Sequence, residues 1–242
     1  YQLMTMFDVE KLVRARQSAI ERVLSQQTEK GYWISQRITD PRSSNVDGTA
    51  FVLEDLSTAP ELHHDPRISR GITHLISNQN PDGGWSDLKG EPSRPTVTSY
   101  VLWALGKFGV RSSMEVERGV RWLERTQCED GGWTEIVERP WEGGIRPGET
   151  QPWITASCIR GLKNCPQTRE KVIQRALVFL EEKQRPDGSW EGRMGTDIVL
   201  LTFKEAGLTI ESEMVRRGVD YELSFQRADG FLPDAWGGKT LM

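Results

Sequence analysis

Four arginines stand in short polar segments that lead into apolar stretches: Arg42 in PRSSN, Arg94 in PSRPT, Arg146 in GIRPGET and Arg193 in EGRMGT. A guanidinium presents a planar fork of donors that matches a diphosphate, and a helix N-terminus adds the positive end of its dipole. Gathered at one mouth, the four would bind an anionic small molecule. Asp47, Glu149 and Asp197 lie in or beside the same segments and would offset that charge or hold a magnesium ion with a diphosphate. The competing reading is that arginine is common in loops, and 31 basic residues in 242 make one per loop unsurprising.

Aromatic residues follow those segments: Phe51, Tyr100, Trp103 and Phe203, with Trp153 at the start of its stretch. Their faces suit a hydrocarbon pocket or a carbocation, and they equally suit core filling between helices. Other chemistries find little support. The three cysteines, Cys128, Cys158 and Cys165, make neither a disulfide framework nor a zinc pair. That points to a reducing compartment, so a cytoplasmic location is expected. Of three histidines, His63 and His64 sit in a polar loop with Asp65 and His74 is isolated. No metal site is assigned from them.

The elements that must position these residues repeat. Aligned on a glutamine before a turn, five segments stack: Gln27-TEKGY-Trp33, Gln79-NPDGG-Trp85, Gln127-CEDGG-Trp133, Gln184-RPDGS-Trp190 and Gln226-RADGF-Leu232. Eight positions before each glutamine is a small residue (Ala19, Gly71, Gly119, Ala176, Gly218), then an aliphatic one. Spacings of three and four mark one face of a helix. Arg70, Arg118, Arg175 and Arg217 share one place on the other face, which reads as a solvated surface. After each turn comes a less polar helix: Thr49-AFVLEDL, Thr98-SYVLWAL, Thr155-ASCIRGL and, less clearly aligned, Asp197-IVLLTFKEAG.

The unit is therefore an outer helix, a turn, a loop and an inner helix, with no sustained period-two alternation for strands. A ring of inner helices inside outer ones covers every apolar face. The fold expected is all-α, an α/α toroid in one domain over residues 1–242, with repeats near 8–57, 66–109, 113–164, 168–208 and 211–242. Five outer helices but only four inner ones can be found, so the ring is short by one helix or is completed by a further domain or subunit. The start at Tyr1 fits a domain cut from something longer.

The Gln-x-x-Asp-Gly-x-Trp segment resembles the QW motif of the squalene–hopene cyclase and class II terpene cyclase family, which is related to protein prenyltransferase β subunits. The resemblance runs from about residue 10 to 232 and implies the α/α toroid. It also implies a structural role for Gln79, Trp85, Gln127, Trp133, Gln184 and Trp190, in which the glutamine bonds the turn and the tryptophan stacks on a neighbouring helix. In such cyclases an Asp-x-Asp-Asp-Thr-Ala motif opens an inner helix, and its middle aspartate protonates an alkene or epoxide. Asn45-Val46-Asp47-Gly48-Thr49-Ala50 matches it at Asp47, Thr49 and Ala50, with Asn45 and Gly48 in place of the outer acids.

The resemblance thus implies Asp47 as general acid and an isoprenoid substrate, a prenyl diphosphate or a polyprenyl chain. Taken without it, Asp47 is a candidate N-cap, and Thr98-Ser99 and Thr155-Ala156 recur at the same place as marks of a helix start. The prenyltransferase branch would need Asp, Cys and His for zinc, and neither Cys158 nor Cys165 carries an aspartate two residues before it. The alternatives to an enzyme are a module that keeps the toroid and binds an anionic ligand within a larger protein, and a scaffold whose open edge docks a helix.

Composition limits the partners. Net charge is −4 with a pI of about 5.6, which gives no support to nucleic-acid binding by overall charge. Mean hydropathy is −0.54, and no apolar run approaches the ~18 residues of a membrane span.

Overall fold

A computed structural model describes residues 2–35, 38–138, 145–165 and 170–232, with side chains from residue 9 onward. Among the described residues there are nine α-helices, one short 3-10 turn at Pro60–Leu62 and no strand. The end of the fifth repeat, 233–242, lies outside the described residues.

The outer helices are α1 (Gln2–Ser25), α3 (Pro66–Ser77), α5 (Met114–Thr126), α7 (Glu170–Lys183) and α9 (Glu213–Leu223). The inner helices are α2 (Val46–Leu56), α4 (Pro95–Lys107), α6 (Pro152–Lys163) and α8 (Arg193–Ala206). Inner helices pack in series, α2 on α4, α4 on α6 and α6 on α8, while α3, α5, α7 and α9 each cover one of them from outside. This is the α/α toroid, with five outer and four inner helices among the described residues. None of these helices is long and apolar enough to cross a membrane.

Inner helices begin three residues before Thr49, Thr98 and Thr155, and four before Asp197, the residues that marked them in the sequence. Pro95 and Pro152 occupy first-turn positions, where a missing N–H costs nothing. Each threonine instead anchors the preceding turn. The backbone N–H groups of Trp33, Trp85, Trp133 and Trp190 donate to the hydroxyls of Thr49, Thr98, Thr155 and Thr196 at 2.9–3.2 Å.

The tryptophans are structural. Each indole N–H donates to a carbonyl of its own outer helix, as from Trp85 to Leu75 at 2.7 Å and from Trp133 to Leu123 at 3.0 Å. All four rings are buried, and Gly71, Gly119 and Gly218 of the next outer helix lie against three of them. Burying one such ring stabilises the fold by about 4–6 kcal/mol as an upper bound.

Each of the first four glutamines bonds two carbonyls through Nε2, that of its own turn glycine and one at the start of the next outer helix. Gln79 reaches Gly83 at 2.8 Å and Glu115 at 2.7 Å, and Gln127 reaches Gly131 and Val172 at 2.9 Å each. Gln27 pairs likewise with Gly31 and Arg67, and Gln184 with Gly188 and Met214. The turn glycines have φ between 86° and 97° and touch the backbone of Arg70, Arg118, Arg175 or Arg217, so a Cβ there meets both strain and a wall. Arg70, Arg118 and Arg175 are exposed and Arg217 is half-buried, yet all four are bonded, which refines the solvated-face reading. Arg118, Arg175 and Arg217 donate to carbonyls of the preceding turn at 2.7–3.2 Å, and Arg70 donates to Gln27 Oε1.

Candidate active site

The loops entering α2, α4, α6 and α8 gather at the N-terminal ends of the inner helices, as the repeat requires. Ser44 N–H donates to the Asp87 carbonyl at 2.8 Å, which ties the first of these loops to the second. Within this rim the four arginines are ion-paired with acids. Each is clamped to an acid of the next repeat: Arg42 to Glu91 at 2.9 Å, Arg94 to Glu135 at 3.0 Å, Arg146 to Glu191 at 2.6 Å and Arg193 to Glu222 at 3.0 Å. Arg42, Arg94 and Arg146 also hold Asp40, Asp87 and Glu149 of their own repeats. Seven carboxylates thus stand against these four guanidiniums. Arg193 is moreover the first residue of α8 and not part of a loop.

Arg94 is the extreme case. Its side chain has 0% exposure and lies between Asp87 and Glu135, which are buried to the same degree. Glu135 also accepts from the Thr96 hydroxyl at 2.5 Å and the Thr96 N–H at 3.1 Å. Neither Asp87 nor Glu135 stood out in the sequence. Their one common signal is position, two residues after Trp85 and Trp133, where Ser35 follows Trp33.

Asp47 is the second residue of α2 and is buried. The N-cap is Asn45, in left-handed backbone at φ 55°, so Asp47 does not serve as the cap. Ser35 Oγ donates to Asp47 Oδ2 at 2.9 Å, while Oδ1 is buried with no hydrogen-bond partner among the described residues. Burial pushes the Asp47 carboxyl above its ordinary range. The Gly48 N–H and the Ser35 hydroxyl oppose that, and the charge of Asp87 pushes further up. A carboxyl so placed is shifted toward its protonated form, with one oxygen unengaged.

The two departures from the acid-rich motif are where Ser35 is seated. Asn45 Oδ1 accepts from the Ser35 N–H at 3.2 Å. A Cβ at Gly48 would meet Ser35 Cα and N at 2.9 Å. With an aspartate at position 48, the Ser35 backbone would be displaced and its hydroxyl moved from Asp47.

The aromatics separate into two groups. Phe51 lies one helical turn below Asp47 on the same face of α2 and meets Tyr100 of α4 with ring centroids 4.6 Å apart. Both are half-buried, as is Trp153 in the first turn of α6. Trp103 and Phe203 do other work. Arg160 and Lys107 stand over the Trp103 ring at 4.6 and 5.2 Å, so cations already cover it. Phe203 packs edge-on against Trp190 in the core.

At the opposite end of the inner helices, Arg160 of α6 bonds Glu54 of α2 at 3.1 Å and Glu205 of α8 at 3.3 Å. One guanidinium thus joins the first and last inner helices among the described residues. Burial raises Glu54 to about 7, against the pull of Arg160.

The described residues contain no group of three or more His, Cys, Asp or Glu that could hold a metal ion. Asp47, Glu149 and Asp197 are therefore not gathered as a magnesium site, and Glu149 is taken by Arg146. A surface depression of about 560 Å³ lies between the third and fourth repeats, lined in part by Cys128, Asp130, Glu149 and Lys183. Its lining includes neither a buried acid nor an aromatic side chain. The cysteines are free, and burial raises the Cys165 thiol to about 12.

Comparison with known proteins bears on this geometry. The family model for the squalene-hopene cyclase C-terminal domain matches residues 1–149, 37–197 and 150–240. A drimenyl diphosphate synthase of Streptantibioticus cattleyicolor is 25% identical over 214 residues, covering 83% of this chain and 39% of the relative. A squalene–hopene cyclase of Bradyrhizobium diazoefficiens is 30% identical over 92 residues, covering 35% of this chain and 13% of the relative. This chain thus spans well under half the length of these curated relatives. A variant of the type II terpene cyclase MstE from Scytonema, solved in complex with geranylgeranyl dihydroxybenzoate, shares the fold with a TM-score of 0.73. It is 16% identical, and the match covers 94% of this chain and 68% of that one.

Proposed function

Because this chain belongs to the squalene–hopene cyclase family of class II terpene cyclases, we propose that it starts the cyclisation of an isoprenoid chain by protonation, with Asp47 as the acid. The observation that carries this reading is the Asp47 carboxyl itself: buried, raised by burial, supported on Oδ2 by Ser35 and unpartnered on Oδ1. Asp47 gives its proton to a terminal alkene carbon, the π pair forms the new C–H bond, and a tertiary cation and the Asp47 carboxylate remain. Neighbouring double bonds then close rings by attacking the cation, and the last cation loses a proton to a base. Ser35 stabilises the carboxylate left behind, and the Phe51 and Tyr100 faces stabilise positive charge passing them.

The carboxylates at all four rim arginines favour a polyprenyl chain without a diphosphate head. Magnesium is given no part, since the acids named for it are not gathered. The rival reading, a module that binds an isoprenoid without turnover, draws on Asn45 and Gly48 standing where the motif has acids.

Turnover assays with squalene, a geranylgeranyl-substituted phenol and geranylgeranyl diphosphate, read by mass spectrometry, test the proposal. A cyclised product lost in Asp47→Asn, with helical content and unfolding midpoint retained, is the expected result. No product from any substrate, with parent and variant equally stabilised by ligand, would assign the chain to the rival reading.

A further inference from the structure

The face of the inner helices that turns away from the tryptophans is arranged in layers. Thr49, Thr98 and Thr155 point outward to the tryptophan backbones. Residues two before, two after and five after each threonine fall on the opposite face. On α2 these are Asp47, Phe51 and Glu54. Phe51 meets Tyr100, the corresponding residue of α4, in the middle layer. Below it, Glu54 bonds Arg160, the corresponding residue of α6, at 3.1 Å, and Arg160 covers Trp103 of α4.

The reach of this ion pair places the carboxyl. Inner helices pack in series, α2 on α4 and α4 on α6, so a bond from α2 to α6 passes in front of α4, across the concave side of the array. Glu54 therefore projects into the same concave space as Asp47 and Phe51. It stands seven residues beyond Asp47 on one helix, about 10.5 Å along the axis, a span that suits a fused-ring skeleton better than a single carbocycle. The carboxyl is half-buried. Arg160 pulls its pKa down, Asp55 of its own helix and Glu205 of α8 push it up, and Lys107 of α4 stands 3.9 Å from Glu205. Burial outweighs the pull of Arg160 and leaves Glu54 at about 7, so a large share is ionised at neutral pH.

We infer that Glu54 is the base that ends the cyclisation begun at Asp47, an inference that rests on the proposal for Asp47. A reaction that starts with a proton and ends in an alkene needs an acid at one end of the folded substrate and a base at the other. The Glu54 carboxylate takes a proton from the carbon next to the last cation. The C–H pair becomes the new double bond, and Glu54 is left as the neutral acid. It returns that proton to solvent, from which Asp47 regains the one it gave, so the product is an isomer of the substrate. Arg160 holds the carboxylate across the concave space between turnovers.

Glu54→Gln keeps the shape of the side chain and removes the base. With squalene and a geranylgeranyl-substituted phenol as probes, the parent should give a cyclised alkene. In Glu54→Gln the substrate should still be consumed but water should end the reaction, and the alkene-to-alcohol ratio should fall by about 100-fold. Glu54→Asp should restore part of the alkene. In the parent that ratio should rise with pH through about 7, as the carboxylate forms, and in Glu54→Gln it should stay flat. An unchanged product mixture in Glu54→Gln, or lost consumption with no change of product, would overturn the inference and leave Asp47 as the acid. No consumption by the parent, or consumption that survives Asp47→Asn, would instead overturn the proposal for Asp47 and this inference with it.

Discussion

Ser35 Oγ lies 2.9 Å from Asp47 Oδ2, and the serine is held there by Asn45 and by the bare Cα of Gly48. This hydroxyl favours the ionised form of a carboxyl that burial shifts upward, and so strengthens the acid. Ser35→Ala should raise the Asp47 pKa further and lower turnover by about 10- to 100-fold, the value of one hydrogen bond to a charged group. Gly48→Ala should act in the same direction by pushing Ser35 away. A pH–rate profile and carbon-detected NMR of Asp47 read both effects; unchanged profiles would remove Ser35 from the mechanism.

Arg94 and Arg146 occupy corresponding loops but opposite environments. Arg94→Met should destabilise by about 3–5 kcal/mol, because it strands the buried charges of Asp87 and Glu135. Arg146→Ala, at a half-exposed clamp, should cost no more than about 1 kcal/mol. Denaturant unfolding distinguishes them. Equal costs would mean that the rim is held by something other than these clamps.

Glu54 makes stability depend on pH. Its carboxyl titrates near 7 in the folded chain against an ordinary value of 4.5, so the folded state binds the extra proton between those values. The contribution of Glu54 is fully present below about pH 4.5 and is lost as pH rises through 7. Glu54→Gln, which cannot ionise, should therefore gain stability relative to the parent between about pH 5 and about pH 8, by on the order of 1–3 kcal/mol. Unfolding curves across that range would show the gap opening with pH. A constant gap would count against the burial of Glu54 as its cause.

The turn glutamines are expected to differ by place. Gln127→Ala removes bonds to Gly131 and Val172, and should cost about 1–3 kcal/mol. Gln226→Ala removes one exposed bond and should stay within about 0.5 kcal/mol. Parallel urea titrations test the pair, and a large loss at Gln226 would contradict its exposed position.

Helix positions, their inner or outer layer, the turns between them and the structural part of the tryptophans were legible from residue order, because each rests on short-range regularities. A 3.6-residue apolar period and an Asp-Gly stop act within a few residues of themselves and repeat in register. Trp133 and Gln127 could be read this way because four copies shared one spacing. Polar side chains at the rim could not. Whether Arg94 binds a ligand or a neighbour depends on Glu135, 41 residues away, brought beside it by the stacking of repeats. Ser35 carried no signal as an isolated serine, and Asp47 looked like a helix cap until the backbone placed Asn45 there. The sequence by itself determined a toroid of helical hairpins. Only the tertiary structure decided which charges are already neutralised and which carboxyl oxygen is left without a partner, because electrostatic and hydrogen-bond pairing depends on distance in space and not on separation along the chain.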